Sequence, residues 1–170
     1  MTNAYEKART IEQQATYELM PWILSTFNNV NPITDKGRQY TEGDFDAETS
    51  DSRRIVLELK SEAKHTGNLF LETHSSADGN VSSPGWLFKL KADSLLYYFV
   101  DTKMLYAIHL PTLQKWAKEH LDEYRQVEQK KYSQQNRTVG SIVPISDIQK
   151  ALGSRMRAVK IEDPFTDMPQ

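Results

Sequence analysis

The sequence predicts a single α/β domain with a central mixed β-sheet flanked by helices. Three observations predict it: an amphipathic helical pattern opens the chain, short apolar strand-like segments fill its middle, and a second amphipathic helix follows Pro111. The 170 residues suit one domain with its own core. We expect an N-terminal helix over residues 4–27, a core over about residues 38–110, C-terminal helices and a strand over 111–160, and a loose tail over 163–170.

The first elements follow from periodicity and turn composition. Apolar residues from Ala8 to Ile23 recur at three- and four-residue spacing, and Pro21 is expected to kink or divide this helix. The stretch from Asn28 to Gly37 is typical of a loop because it is rich in Asn, Pro, Asp and Gly. Alternating or apolar segments then predict strands at 40–47, 55–60, 68–74, 95–100 and 104–110.

The last third of the chain predicts smaller elements. Pro111 stands at a favoured helix start, and Leu113, Trp116 and Leu121 give the following helix an apolar stripe. The segment "TVGSIVPI" predicts a strand, and Ser146 is expected to cap a short helix after it. The segment "RAVKIED" predicts an edge strand.

Composition excludes several function classes. The net charge of −2 gives no overall basic field for nucleic acid, although a local basic rim stays compatible with binding. The absence of cysteine excludes a disulfide scaffold, a thiolate zinc site and a cysteine nucleophile. No apolar run approaches the roughly 20 residues that span a bilayer. A polar N-terminus without a secretory pattern favours a cytoplasmic protein with no membrane partner.

Charged residues interrupt the most apolar of the predicted strands. Alternation places Glu58 and Lys60 on the face opposite Leu57 and Leu59. Asp44 and Asp46 lie on the preceding predicted strand, and a hairpin would bring that strand's acidic end to Glu58. Converging carboxylates form a hard-oxygen site for Mg²⁺ or Mn²⁺. A neighbouring lysine is suited to orient or deprotonate a water, or to stabilise charge on a phosphate.

An acidic residue followed by Glu-x-Lys on a strand resembles the PD-(D/E)XK nuclease superfamily of restriction endonucleases, junction resolvases and phage exonucleases. The segments "ELKSEAKHTGNLFLE", "PGWLFKLKADSLLYYF" and "TVGSIVPI" are similar to those of small, mostly phage-borne predicted nucleases. The resemblance covers about residues 38–150. It implies a restriction-endonuclease-like αβββαβ core, and a protein of the cytoplasm of a bacterial or phage-infected cell.

The resemblance also implies roles for individual residues. Glu58 and Lys60 match the Glu-x-Lys pair. Asp46 has the spacing more usual in the closer group and is weighted slightly above Asp44, which follows Gly43 in a resolvase-like turn. The proline of the superfamily name is absent. Residues expected to contact nucleic acid are Lys64, Asn68, Lys89 and Lys91, and residues expected to support the metal site are Glu18 and Glu72.

The function that the sequence predicts is Mg²⁺- or Mn²⁺-dependent hydrolysis of phosphodiester bonds in DNA, by an endonuclease or a junction-resolvase-like enzyme. A homodimer is compatible, by analogy, because two nicks need two sites. The alternative is an inactive protein of the same fold that serves as a nucleic-acid or protein interaction module. A second alternative is a structural or regulatory phage protein in which Glu58 and Lys60 are an ordinary ion pair on a strand.

Overall fold

A computed structural model describes residues 4–77, 81–130 and 137–162 of the chain. The helices within these ranges are α1 (Ala4–Thr26), α2 (Lys36–Thr41), α3 (Trp86–Lys89), α4 (Leu110–His120) and α5 (Ile145–Leu152). The strands are β1 (Asn28–Pro32), β2 (Phe45–Glu48), β3 (Arg54–Glu62), β4 (Asn68–Ala77), β5 (Val81–Pro84), β6 (Ser94–Phe99), β7 (Met104–His109), β8 (Gln126–Lys130), β9 (Arg137–Pro144) and β10 (Met156–Lys160). The predicted tail over 163–170 lies outside the described residues.

The central sheet has six strands in the order β1-β2-β3-β6-β7-β10. It is mixed, because β3 and β6 run parallel while its other neighbouring strands run antiparallel. This confirms the predicted α/β fold with a central mixed sheet flanked by helices. The edge strand predicted from "RAVKIED" is also correct, since β10 closes one side of the sheet.

A second sheet, which the sequence did not predict, has the order β5-β4-β9-β8. The strand predicted at 68–74 belongs to it as part of β4, and pairs with β9 rather than with β3. Leu69 and Leu71 of β4 are fully buried and belong to the same core as Leu95 of β6. The second sheet and the central sheet therefore contribute to one apolar core.

The two faces of the central sheet bury different partners. Ala15, Leu19 and Ile23 of α1 pack with Leu57 and Leu59 of β3 on one face. The other face contributes to a larger core whose members come from β3, β4, β6, β7, β9 and helices α3, α4 and α5. Because side chains alternate along β3, Val56, Glu58 and Lys60 lie on the face of this larger core.

Three local predictions were wrong. The stretch 28–37 is not all loop: it contains β1 and the first turn of α2, whose N-cap Asp35 accepts a hydrogen bond from Arg38 N at 2.8 Å. The strand predicted at 40–47 starts only at Phe45, because α2 continues to Thr41. Ser146 does not cap α5; that helix starts at Ile145 with Pro144 at the N-cap and no side-chain cap.

Pro21 does not divide the first helix, which remains one element from Ala4 to Thr26. No helix in the described ranges has both the length and the apolar character needed to cross a bilayer.

Candidate metal and phosphodiester site

The candidate site lies where β2 begins beside the middle of β3. Asp44 directly precedes β2, and its backbone N–H donates to the Leu57 carbonyl at 2.8 Å. Its side chain then accepts a hydrogen bond from the backbone N–H of Leu59 at 2.9 Å. β2 pairs with β3 only from Arg54 to Leu57, and the Asp44 carboxylate accepts its hydrogen bond from β3 just beyond the end of this pairing. The two contacts fix Asp44 beside Glu58.

Glu58 is almost completely buried, with 4% of the residue exposed. Its Oε1 atom lies 2.5 Å from Lys60 Nζ. Its other oxygen, Oε2, is buried and has no hydrogen-bond partner among the described residues. A buried carboxylate oxygen without a partner is costly for folding, and such groups in folded proteins call for an explanation such as a catalytic role or a bound ion.

Burial, and to a lesser extent the charge of Asp44, raise the pKa of Glu58, while Lys60 and Lys89 lower it, and the net result is a pKa of about 7. Both Asp44 and Glu58 are therefore close enough to repel each other as anions. A carboxyl with a pKa near neutrality is partly protonated at pH 7, and binding of a cation beside it would release that proton.

Lys60 lies on the same face of β3 with its amine between acidic groups. Burial works against its charge, but attraction to Glu58, Asp44 and Glu72 outweighs burial and raises the pKa of Lys60. The ammonium also lies 5.7 Å from the centroid of the Trp86 ring. Lys60 is thus held as a cation, and 32% of its side chain remains exposed.

Glu72 reaches this region through an irregularity of β4. The pairing of β4 with β9 shifts register between Glu72 and His74, as at a β-bulge. Glu72 and its neighbour Thr73 are both buried. α3 docks at this point: a Cβ atom on Gly85 would lie 2.5 Å from the Glu72 carbonyl oxygen.

Asp46 is engaged by two arginines. Arg38 donates to both of its carboxylate oxygens, at 3.0 and 3.1 Å, and Arg54 donates to Oδ1 at 2.6 Å. Hydrogen bonds from Arg38 first, and then from Arg54, lower the pKa of Asp46. Two adjacent guanidinium groups compensate this carboxylate and repel any further cation, so the geometry favours Asp44 over Asp46 as the partner of Glu58.

Glu18 lies on the other side of the central sheet. It is buried on α1, where Tyr98 donates to it at 2.5 Å and Lys103 lies 3.1 Å from it. Tyr98 and Leu59 belong to the apolar cluster of α1, on the face opposite Glu58 and Lys60. The structure therefore does not bring Glu18 to the predicted site.

Replacing Glu18 with Ala will destabilise the fold by about 2–4 kcal/mol, because Lys103 and Tyr98 lose a buried partner. Urea unfolding measures this change, and a Glu18→Ala protein as stable as wild type would show that these buried contacts do not stabilise the fold.

The four residues expected to contact nucleic acid separate into two groups. Lys89 lies near enough to lower the pKa of Glu58, and Lys91 is joined to α2 by a hydrogen bond from its backbone N–H to the Thr41 carbonyl. Lys64 and Asn68 line a cavity of about 660 Å³ beyond the far end of β3. Lys64 is six residues from Glu58, roughly 20 Å along an extended chain.

The sequence interpretation missed the contact of Arg38 with Asp46, because Arg38 lies on α2. A signal for that helix is present: Asp35 stands three residues before Arg38, in the position of an N-cap.

Within residues 4–77, 81–130 and 137–162, no group of three or more His, Asp or Glu side chains is arranged so that it could hold a metal ion. The donors that converge are the two carboxylates of Asp44 and Glu58.

No family model matches the sequence, and no curated protein matches it either. Among solved structures, the chain is similar to a bacterial homing endonuclease, I-Ssp6803I, with 14% sequence identity and a TM-score of 0.41. The similarity covers 78% of this chain and 84% of that one.

Proposed function

We propose that the protein is a metal-dependent nuclease that hydrolyses phosphodiester bonds in DNA, with Asp44, Glu58 and Lys60 as its catalytic residues. The observation that carries the proposal is the buried, unpartnered Oε2 atom of Glu58 beside a second carboxylate and a lysine. A surface ion pair of the kind common on strands would be hydrated at both partners, whereas here the Glu58 carboxylate is buried and only Lys60 is partly exposed.

The donor set fits a hard divalent cation such as Mg²⁺ or Mn²⁺. Carboxylate oxygens are the ligands these ions prefer, and Mg²⁺ is usually held by one or two carboxylates while keeping several waters. Asp44 and Glu58 would hold the ion, and Glu72 stands as a buried acidic neighbour. When bound, such an ion polarises the phosphate and lowers the pKa of a bound water.

The protonation state of Lys60 limits the catalytic roles that its amine can take. Because its pKa is raised, the amine stays protonated near neutral pH and is unsuited to remove a proton from water. As a fixed cation it is suited to donate a hydrogen bond to the attacking water or to a phosphate oxygen and to offset the negative charge that develops there. Of the roles open to it from sequence, the structure favours charge stabilisation.

Metal-dependent cleavage is tested with supercoiled plasmid, single-stranded DNA and a branched junction, each with Mg²⁺ or Mn²⁺ and with EDTA as the blank. We expect cleavage of at least one substrate that requires the metal. If the folded protein cuts none of them with either metal, the nuclease proposal fails and the interaction-module alternative takes its place.

Replacing Lys60 with Met, which keeps the length of the side chain without its charge, will lower the cleavage rate by about 100-fold or more. The loss will fall on the rate at saturating substrate, since the charge acts on the transition state. Lys7→Met, at an exposed position of α1, is the control and will cut like wild type. Equal rates for Lys60→Met and wild type would show that Lys60 has no catalytic role.

A further inference from the structure

An exposed aromatic ring stands beside the proposed site. Tyr40 lies in the last turn of α2, and 56% of the residue is exposed. The Lys89 ammonium lies 3.5 Å from the centroid of its ring. At that distance the cation is attracted to the ring face, so the contact holds both side chains in place while leaving the rest of the ring in solvent.

The pair of Tyr40 and Lys89 belongs to the rim of the site. Tyr40 is four residues from Asp44, which limits the separation of their Cα atoms to about 14 Å. Lys89 lies close enough to Glu58 to lower the pKa of that carboxyl, and the Lys91 N–H bonds to the Thr41 carbonyl at 3.0 Å. The last contact joins the chain after α3 to the end of α2, so the ring and the lysine keep a defined position relative to the carboxylates.

The chemistry of the pair selects an unpaired nucleotide. An exposed aromatic ring offers a surface on which a base can stack, and a neighbouring lysine neutralises a phosphate of the same strand. Bases inside a duplex are already stacked on each other and present only their edges to a protein. Stacking on Tyr40 therefore requires a base that has left the duplex, as in a single strand, a flap or a frayed end.

We propose that Tyr40 and Lys89 form a binding subsite for an unpaired nucleotide, and that the protein acts on DNA next to a single-stranded segment. The inference rests on the proposed function for its assignment of DNA as the ligand. It goes further by naming the substrate form, which neither the carboxylates nor Lys60 determine.

The test measures binding separately from cleavage. A fluorescently labelled single-stranded oligonucleotide and the same sequence as a blunt duplex are titrated with protein, with Ca²⁺ or EDTA in place of Mg²⁺, and anisotropy is recorded. We expect wild type to prefer the single strand. Tyr40→Ala will weaken single-strand binding by about tenfold, in line with the loss of one stacked base, and leave duplex binding nearly unchanged. Tyr40→Trp will retain the preference.

Tyr17→Ala is the matched control, because Tyr17 is 60% exposed but lies on α1, which packs on the opposite face of the central sheet. It will bind like wild type. Wild type without a preference for the single strand, or Tyr40→Ala binding as tightly as wild type, overturns the subsite whether or not the protein cuts DNA. Loss of binding in Tyr40→Ala alone, with no cleavage by any variant, would support the subsite and reject the nuclease.

Discussion

Asp44→Asn will lower metal-dependent cleavage of DNA by at least about 100-fold, whereas Asp46→Asn will keep it within about tenfold of wild type. The two aspartates are two residues apart, but only Asp44 contributes negative charge at Glu58. Asp46 has its carboxylate compensated by Arg38 and Arg54. Removing its charge frees two arginines at the surface and leaves the pair of Asp44 and Glu58 in place.

The comparison is made as initial rates of plasmid nicking at several Mg²⁺ concentrations, with folding checked by circular dichroism. Asparagine keeps the shape of the side chain and its ability to accept the hydrogen bond from Leu59 N–H, so a loss in Asp44→Asn reports charge rather than fold. The reverse result, an active Asp44→Asn and an inactive Asp46→Asn, would show that Asp46 and not Asp44 is the catalytic aspartate.

Glu58→Gln will make the metal-free protein more stable than wild type by about 3 kcal/mol at pH 8 and by less than about 1 kcal/mol at pH 5. The folded pKa of Glu58 is raised from 4.5 to about 7, so the group contributes stability fully below pH 4.5 and loses it as the pH rises through 7. Each pKa unit corresponds to roughly 1.4 kcal/mol. Glutamine does not titrate, so the Glu58→Gln protein does not lose this stability as the pH rises.

The measurement is urea unfolding in EDTA at pH 5, 6, 7 and 8, followed by tryptophan fluorescence. Glu12→Gln, at an exposed position of α1, is the control and will follow wild type at every pH. Added Mg²⁺ will reverse the order at pH 8, because it stabilises only the protein whose carboxylates bind it. A difference between Glu58→Gln and wild type that is independent of pH would show that Glu58 is not the titrating group.

Much of the secondary structure could be predicted because the local sequence patterns match the elements that form. The apolar stripe of α1, the alternation of β3 and the apolar run of β6 each predict the element that forms. The second sheet could not be predicted, because a strand pattern shows that a segment forms a strand but not which strand it pairs with. Its central pairing joins Asn68 to Pro144, 76 residues apart, and no local signal specifies so distant a contact.

The site shows the same division. The shared face of Glu58 and Lys60 was predictable from two-residue alternation, and charges on the core side of an apolar strand are costly. The choice between Asp44 and Asp46 was not readable, because it depends on Arg38. That arginine reaches Asp46 from α2, a short helix in a stretch whose composition is typical of loops. Glu18 was expected at the metal site, but the periodicity of α1 does not show which side of the central sheet that helix covers.

The shared binding of one divalent cation by Asp44 and Glu58 is the central claim, and titration of the protein with Mn²⁺ in a calorimeter tests it most directly. Wild type and Asp46→Asn will bind Mn²⁺ with similar affinity, more tightly at pH 8 than at pH 6 because Glu58 must lose its proton. Asp44→Asn and Glu58→Gln will lose that binding. Undiminished Mn²⁺ binding in either of these two variants, or none in wild type at pH 8, would contradict the account.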